Sequence, residues 1–238
     1  MKVIGITGNI GCGKSTVCKI FTDKYNIPVF SADLVAKGII KSNREVITAI
    51  IEMFGKGVIN EDFTINRRYI FDHVFINKET LDRYNKILHP PVIKAFAEWK
   101  AFFFQQNKYP YIIEESALIF EAGTAASFNE IISVNCDLDT RIKRASTRSG
   151  LTEDEVRLID SHQIPWLQKW QKSSLSILNH GDLANLEAHV DYLHQYLTYN
   201  PDANKSYGEM MEETWMADDL PVIPTRFNDL ADDDILGR

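Results

Sequence analysis

Residues 8–15, Gly8-Asn9-Ile10-Gly11-Cys12-Gly13-Lys14-Ser15, have the form G-x-x-x-x-G-K-[ST]. Glycines at these places let successive backbone N–H groups curl around an anion, and a helix directly after the loop adds its positive end. Lys14 is then placed for the β- and γ-phosphates of a nucleotide, and the Ser15 hydroxyl for Mg²⁺. The expected nucleotide contacts run from Gly8 to Thr16. Cys12 lies near a helix N-terminus, where a thiol's pKa falls; a redox role competes there with the plainer reading of a small residue that fits the loop, which is preferred. The loop holds a triphosphate, but alone it does not choose among hydrolysis, switching and transfer.

Two further groups point to transfer. Asp33 stands in "FSADLVAKGI", just after a predicted strand. A carboxylate there accepts or orients a hydroxyl proton of an acceptor, as in kinases; the competing reading is a helix cap. Arg141, Arg144 and Arg148 are spaced 3 and 4 apart and share a helical face. Like charges so packed repel unless an anion sits among them, which suits a lid that stabilises a transferring phosphoryl group. A solvated basic face is the alternative. Arg67-Arg68 form a second basic pair, suited to a phosphate on the acceptor.

The elements that must position these groups can be read from the pattern. "KVIGIT", glycine loop, "KSTVCKIFTDKY" and "IPVFS" read as strand, loop, helix, strand, hence a parallel sheet. Residues 33–107 carry mostly helical signals and read as an insertion, with Pro90-Pro91 predicted to break one helix and start another. "YPYIIEESALIF", "EIISVNCD" and "SLSILN" supply strands three to five. Thr152-x-x-Glu155 has the form of a capping box in a helical region, 138–172. Leu183, Leu186, Val190, Leu193 and Leu197 mark the last helix.

Composition narrows the class. With 238 residues and 45% hydrophobic content the chain suits one soluble domain plus an appendage. No apolar run is long enough to span a membrane, and "MKVIGITG" reads as a strand rather than a targeting segment. The net charge of −7 belongs to residues 198–238, where ten acids face three bases; the remainder is neutral, so no basic footprint for nucleic acid dominates. Cys12, Cys18 and Cys136 make no C-x-x-C pair, which fits a reducing cytoplasm. The acidic tail, 199–238, holds Met210, Met211, Trp215 and Met216 among its acids and reads as a docking segment for a protein partner.

Taken in order, "GITGNIGCGKSTV", "FSADLVAK", "INRRYIFDHVF", "LHPPVIK", "ESALIFEAG", "RIKRASTRSGLTEDEVRLIDSHQ" and the series Gln163, Lys169, Asn179, Gly181 resemble the dephospho-coenzyme A kinase family over about residues 1–197. The resemblance implies an α/β P-loop kinase fold, three-layered with a five-stranded parallel sheet, an acceptor-binding insertion at 33–107 and a helical lid at 138–172. It implies transfer of the γ-phosphoryl of ATP, with Mg²⁺, to the ribose 3′-hydroxyl of dephospho-coenzyme A. Asp33 takes the position of the catalytic carboxylate, Arg144 that of the lid arginine, and Asn179 lies where the family approaches adenine. His89, in the matched "LHPPVIK", is placed toward the acceptor or is a plain helix-end histidine. Two departures stand out. Ser31 occupies a position that is aspartate in many members, and Glu115-Ser116-Ala117 replaces a proline-leucine segment. Glu115 is suited to hold a Mg²⁺-bound water, or to cap the segment after it. The other readings left open are a kinase for nucleoside or deoxynucleoside monophosphates and an idle ATP-binding partner protein.

Overall fold

The computed structural model describes residues 1–199 and the backbone of 222–224. Five parallel strands form the sheet: β1 (Lys2–Thr7), β2 (Val29–Ser31), β3 (Tyr111–Glu115), β4 (Glu130–Asn135) and β5 (Leu175–Leu178), in the order β2-β3-β1-β4-β5. Side chains alternate across it as the two-residue period of a strand requires. Ile4, Ile6, Tyr111, Ile113, Ile132, Val134, Leu175 and Ile177 face one side. There they pack on α1 (Lys14–Tyr25) and α9 (Leu183–Thr198) through residues such as Phe21, Val190 and Leu193. Val3, Phe30 and Ile112 face the other side, against Phe96 and Trp99 of α5 (Lys78–Gln106). Each fully buried isoleucine of this sandwich contributes about 2 kcal/mol.

The insertion comprises α2 (Ala32–Ser42), α3 (Arg44–Phe54), α4 (Arg67–Val74) and the first half of α5. It has its own small core of Val46, Ile50, Val58, Ile70, Val74 and Leu88. The predicted break at Pro90-Pro91 does not occur: α5 runs through both prolines as one helix of 29 residues. Proline's φ is already helical, so its cost in a helix interior is a lost hydrogen bond and crowding of the carbonyl four residues back. Here both flanks are anchored, Leu88 in the insertion core and Phe96 against the sheet, and that packing outweighs the local loss.

The lid region holds α6 (Leu138–Ser149), α7 (Glu153–Ser161) and α8 (Trp166–Lys172). The predicted capping box is present: Thr152 N–H donates to Glu155 Oε2 at 2.8 Å and Glu155 N–H to Thr152 Oγ1 at 3.2 Å. Ile142, Ala145 and Val156 form the lid's core, and Ile10 of the glycine loop packs against it.

A sixth strand, β6 (Val222–Pro224), pairs antiparallel with β5, placing Pro224 opposite Leu175. It comes from the acidic tail, where no strand was expected. Proline is tolerated on such an edge because no further strand needs its N–H. The expected docking segment around Trp215 lies outside the described residues.

Glu114 is an acid buried in the sheet, 8% exposed, two residues along β3 from Ile112. Burial pushes its pKa from 4.5 up to about 7, with Lys100 pulling the other way. The folded state therefore holds this proton more tightly than the unfolded chain, and stability falls as pH rises from about 4.5 to 7. Glu114→Gln is expected to flatten that decline and to raise stability at pH 8 by up to about 3 kcal/mol. Denaturant unfolding of both proteins at pH 5 and pH 8 checks this; parallel pH profiles would contradict it.

Candidate active site

The parallel strands end at one edge, and the register aligns them: Ser31 and Ile6 both pair with Glu115. The glycine loop leaves β1 at that edge and enters α1, whose first turn carries no acid. Two of its glycines are required by close approach. A Cβ on Gly11 (φ 79°) would overlap the carbonyl of Arg141, and one on Gly13 (φ 99°) would overlap the side-chain amide of Asn179. Lys14 is buried, and its Nζ donates to the carbonyls of Gly8 at 2.8 Å and Asn9 at 3.2 Å. That bond pair holds the ammonium over the loop, and the third proton meets only the weak acceptor Cys12 Sγ at 3.9 Å, a contact that a phosphate oxygen can replace.

Ser15 Oγ donates to Glu115 Oε1 at 2.7 Å. The pair joins the first turn of α1 to the end of β3 and sets a hydroxyl and a carboxylate side by side. Oxygen donors of this kind, with only one or two carboxylates, match what Mg²⁺ takes when nucleotide phosphates and waters complete its shell. Among the described residues no group of three or more His, Cys, Asp or Glu is arranged to hold a metal ion, so a closed, all-protein cage is not the arrangement here.

These groups open into a cleft of about 1100 Å³. It exceeds the usual range for one ligand, roughly 300–1000 Å³, and has room for two. Ile10, Gly11, Gly13, Lys14, Ser15 and Glu115 line it on the loop side, and Asp33, Lys37 and His89 line it on the insertion side. Asp33 is exposed, in the first turn of α2, behind the N-cap residue Ser31, whose side chain makes no capping bond. His89 Nε2 is buried without a hydrogen-bond partner, and burial holds the ring's pKa below its ordinary value while Glu121 opposes the shift. Glu121 Oε2 is likewise buried and unpartnered. Buried polar atoms of this kind call for a partner, and these two residues line the cleft.

The three arginines of α6 share a face but not a role. Arg148 lines the cleft. Arg144 donates to the carbonyl of Asn179 at 3.2 Å. Arg141 is 2% exposed and lies beneath the loop, ion-paired with Asp160 and donating to the Cys136 carbonyl at 3.2 Å. The shared face thus divides: Arg148 lines the cleft, while Arg141 and Arg144, the latter expected as the lid arginine, lie in its frame. Asn179 is buried, and its amide donates to the Cys12 carbonyl at 2.9 Å. The Cys12 side chain is fully buried. Arg67 and Arg68 do not line the cleft: Arg67 borders a neighbouring groove, and Arg68 is ion-paired with Asp72 and Glu155.

Four framing residues were not assigned roles from sequence. Asp160 accepts from Asn9 Nδ2 at 2.8 Å, and Gln163 Oε1 accepts from Ile10 N–H at 2.9 Å, so the lid holds the tip of the loop. Lys169, fully buried, donates to the Ala117 carbonyl at 2.6 Å and pairs with Glu121 at 2.8 Å. Glu121 also accepts from Ile164 N–H at 2.9 Å. The available signals were a lone acid after an apolar run, "ALIFE", and a lysine between tryptophans, "WLQKW".

The family model described as dephospho-CoA kinase matches residues 2–185. The chain is 33% identical over 186 residues to the dephospho-CoA kinase of Salinibacter ruber, covering 78% of this chain and 92% of that one. It is 31% identical over 202 residues to that of Acinetobacter baylyi, covering 84% of this chain and all of the relative. Among solved structures it is similar to TT1252 from Thermus thermophilus, with 29% identity, a TM-score of 0.68, and coverage of 83% of this chain and 98% of that one. The dephospho-CoA kinase from Campylobacter jejuni, at 24% identity and TM-score 0.60 over 82% of this chain and 96% of that one, shares the fold. A kinase cleft on a P-loop sheet and a family match spanning most of the chain agree, and the chain belongs to the dephospho-CoA kinase family.

Proposed function

We propose that the chain transfers the γ-phosphoryl group of ATP to the ribose 3′-hydroxyl of dephospho-coenzyme A, giving coenzyme A. The observation that carries this reading is one cleft, large enough for two substrates, with Lys14 and Ser15 on one wall and Asp33 on the other. Lys14 and the loop amides bind the ATP phosphates. Asp33 orients the acceptor hydroxyl and takes its proton as the new P–O bond forms. Arg148 is the lid arginine that faces the transferring group, while Arg144 and Asn179 border the adenine side. Ser15 and Glu115 would hold Mg²⁺, which when bound neutralises charge on the β- and γ-oxygens. His89 and Glu121 offer unpartnered polar atoms to the acceptor.

Free, buried cysteines fit a reducing, cytoplasmic setting. No helix among the described residues is long and apolar enough to cross a membrane. The test is turnover by the purified full chain with ATP, Mg²⁺ and either dephospho-coenzyme A or a panel of nucleoside and deoxynucleoside monophosphates. Coenzyme A formation well above every monophosphate rate is the expected result. Turnover of a monophosphate with none of dephospho-coenzyme A would replace this reading with the monophosphate-kinase one.

A further inference from the structure

The outer edge of the sheet is where this chain departs from a five-stranded frame. β5 is a four-residue strand, Leu175-Ser176-Ile177-Leu178, with no charged residue and no proline. An unpaired edge of that kind invites another strand, and proteins commonly blunt such edges with charge, proline or a cover. Ser174 N–H donates to the Ile131 carbonyl of β4 at 2.9 Å. Backbone groups alternate along a strand, so the N–H and C=O of Leu175 and Ile177 point away from β4, to the outer edge. β6 meets them there, with Val222 opposite Ile177 and Pro224 opposite Leu175. The sequence suits a short strand at this place: Val222 and Ile223 are β-branched, and Pro224 favours extended backbone in the residue before it. The family match ends at residue 185, so β6 lies outside it.

The far end of β5 carries part of the donor site. Asn179 follows Leu178 directly, and its N–H donates to the Asn135 carbonyl at 2.7 Å. Its side-chain amide donates to the Cys12 carbonyl at 2.9 Å and abuts Gly13, while its own carbonyl accepts from Arg144 at 3.2 Å. One residue thus touches both the glycine loop and the lid. The pairing at Ile177 lies two residues from Asn179, about 7 Å along the strand. A strand bonded on one side only frays more readily than one bonded on both, because fewer bonds break when it opens. Pairing on the outer edge is therefore felt at Asn179.

We propose that β6 is an intramolecular brace of the donor site: the tail segment Val222–Pro224 holds β5 from its outer side and so fixes Asn179 against the glycine loop, tightening the site for ATP. The tail, expected from sequence to dock on a protein partner, then docks in part on its own sheet. The proposal rests on the ATP-binding half of the kinase reading above and adds a positioning element to it. The hydrogen bonds of Asn179 among the described residues go to β4, the glycine loop and the lid. The brace therefore acts on the donor half of the cleft and leaves the acceptor half unchanged.

The test uses the full chain with two substitutions at one position. Val222→Pro removes the N–H that faces β5, and Val222→Thr keeps it on a β-branched residue. Hydrogen exchange at the Ile177 amide reports the pairing, calorimetry gives Kd for ATP, and steady-state kinetics gives kcat and the KM for dephospho-coenzyme A. Val222→Pro is expected to speed exchange at Ile177 by about tenfold or more and to raise Kd for ATP by about fivefold. The KM for dephospho-coenzyme A should stay within about twofold and kcat within about threefold, a split between donor and acceptor that general loosening of the chain would not produce. Val222→Thr should match the wild type throughout. Unchanged exchange at Ile177 in Val222→Pro would overturn the brace, and so would faster exchange with unchanged ATP affinity, which would reduce β6 to a cover. Equal losses for ATP and dephospho-coenzyme A would also overturn it. A wild-type dimer that Val222→Pro turns into a monomer would give the strand to a second copy and overturn the intramolecular form. Weaker ATP binding in Val222→Pro, where even the wild type does not turn over dephospho-coenzyme A, would support the brace while overturning the kinase reading.

Discussion

Asp33→Asn is expected to lose at least about 10²-fold in turnover while keeping wild-type affinity for ATP. The substitution keeps size and polarity and removes the charge, so it separates two roles for this residue. Asparagine caps a helix as well as aspartate does, and a residue needed only for the start of α2 would tolerate the change. The N-cap position belongs to Ser31, and Asp33 lies in the first turn beyond it, facing the cleft across from Lys14 and Ser15. An amide there still offers an oxygen to a hydroxyl but is a very poor proton acceptor, so kcat falls and donor binding does not. Steady-state kinetics with an ATP-binding titration decides the matter. Wild-type turnover in the variant would remove Asp33 from the chemistry.

The largest stability effect is expected at Lys169. Its side chain is fully buried, donates to the Ala117 carbonyl, and pairs with Glu121 at 2.8 Å. Burial pulls its pKa below the ordinary value, and the Glu121 carboxylate is the main influence opposing that. Lys169→Met leaves Glu121 as a half-buried carboxylate that keeps, among the described residues, the Ile164 N–H as its hydrogen-bond donor, and should cost about 3 kcal/mol. Adding Glu121→Gln removes the stranded charge and should restore part of the loss. Because Glu121 and Ala117 line the cleft, the single variant should also turn over more slowly. Chemical unfolding of the single and double variants measures the coupling. A loss below about 1 kcal/mol for Lys169→Met, or no recovery in the double variant, would show that the pair does not hold this wall.

The parts legible in the sequence were those set by local spacing. The short apolar run "KVIGIT" before the glycine loop pointed to β1, the 3-4 spacing from Leu183 to Leu197 to α9, and Thr152 with Glu155 to the start of α7. The glycine loop was legible because its form states its own mechanism. Where tertiary packing decides, local signals misled. Pro90-Pro91 argued for a break, yet cores on either side of it hold α5 in one piece. The spacing of Arg141, Arg144 and Arg148 correctly put them on one face but could not reveal that Asp160 would bury the first of them. Glu121 and Lys169 are distant in sequence, and no periodicity links them. Strand β6 draws on a short apolar run flanked by prolines within an acidic tail, a context that argues against a strand until the free edge of β5 is known.

The most direct measurement is the position of the new phosphate after incubation of the full chain with ATP, Mg²⁺ and dephospho-coenzyme A, read by phosphorus NMR. A ribose 3′-phosphomonoester, formed by the wild-type chain and lost with Asp33→Asn, is the predicted result. Release of inorganic phosphate without it, or a phosphoryl group at any other position, would contradict a cleft in which Lys14 and Ser15 present the donor and Asp33 the 3′-hydroxyl.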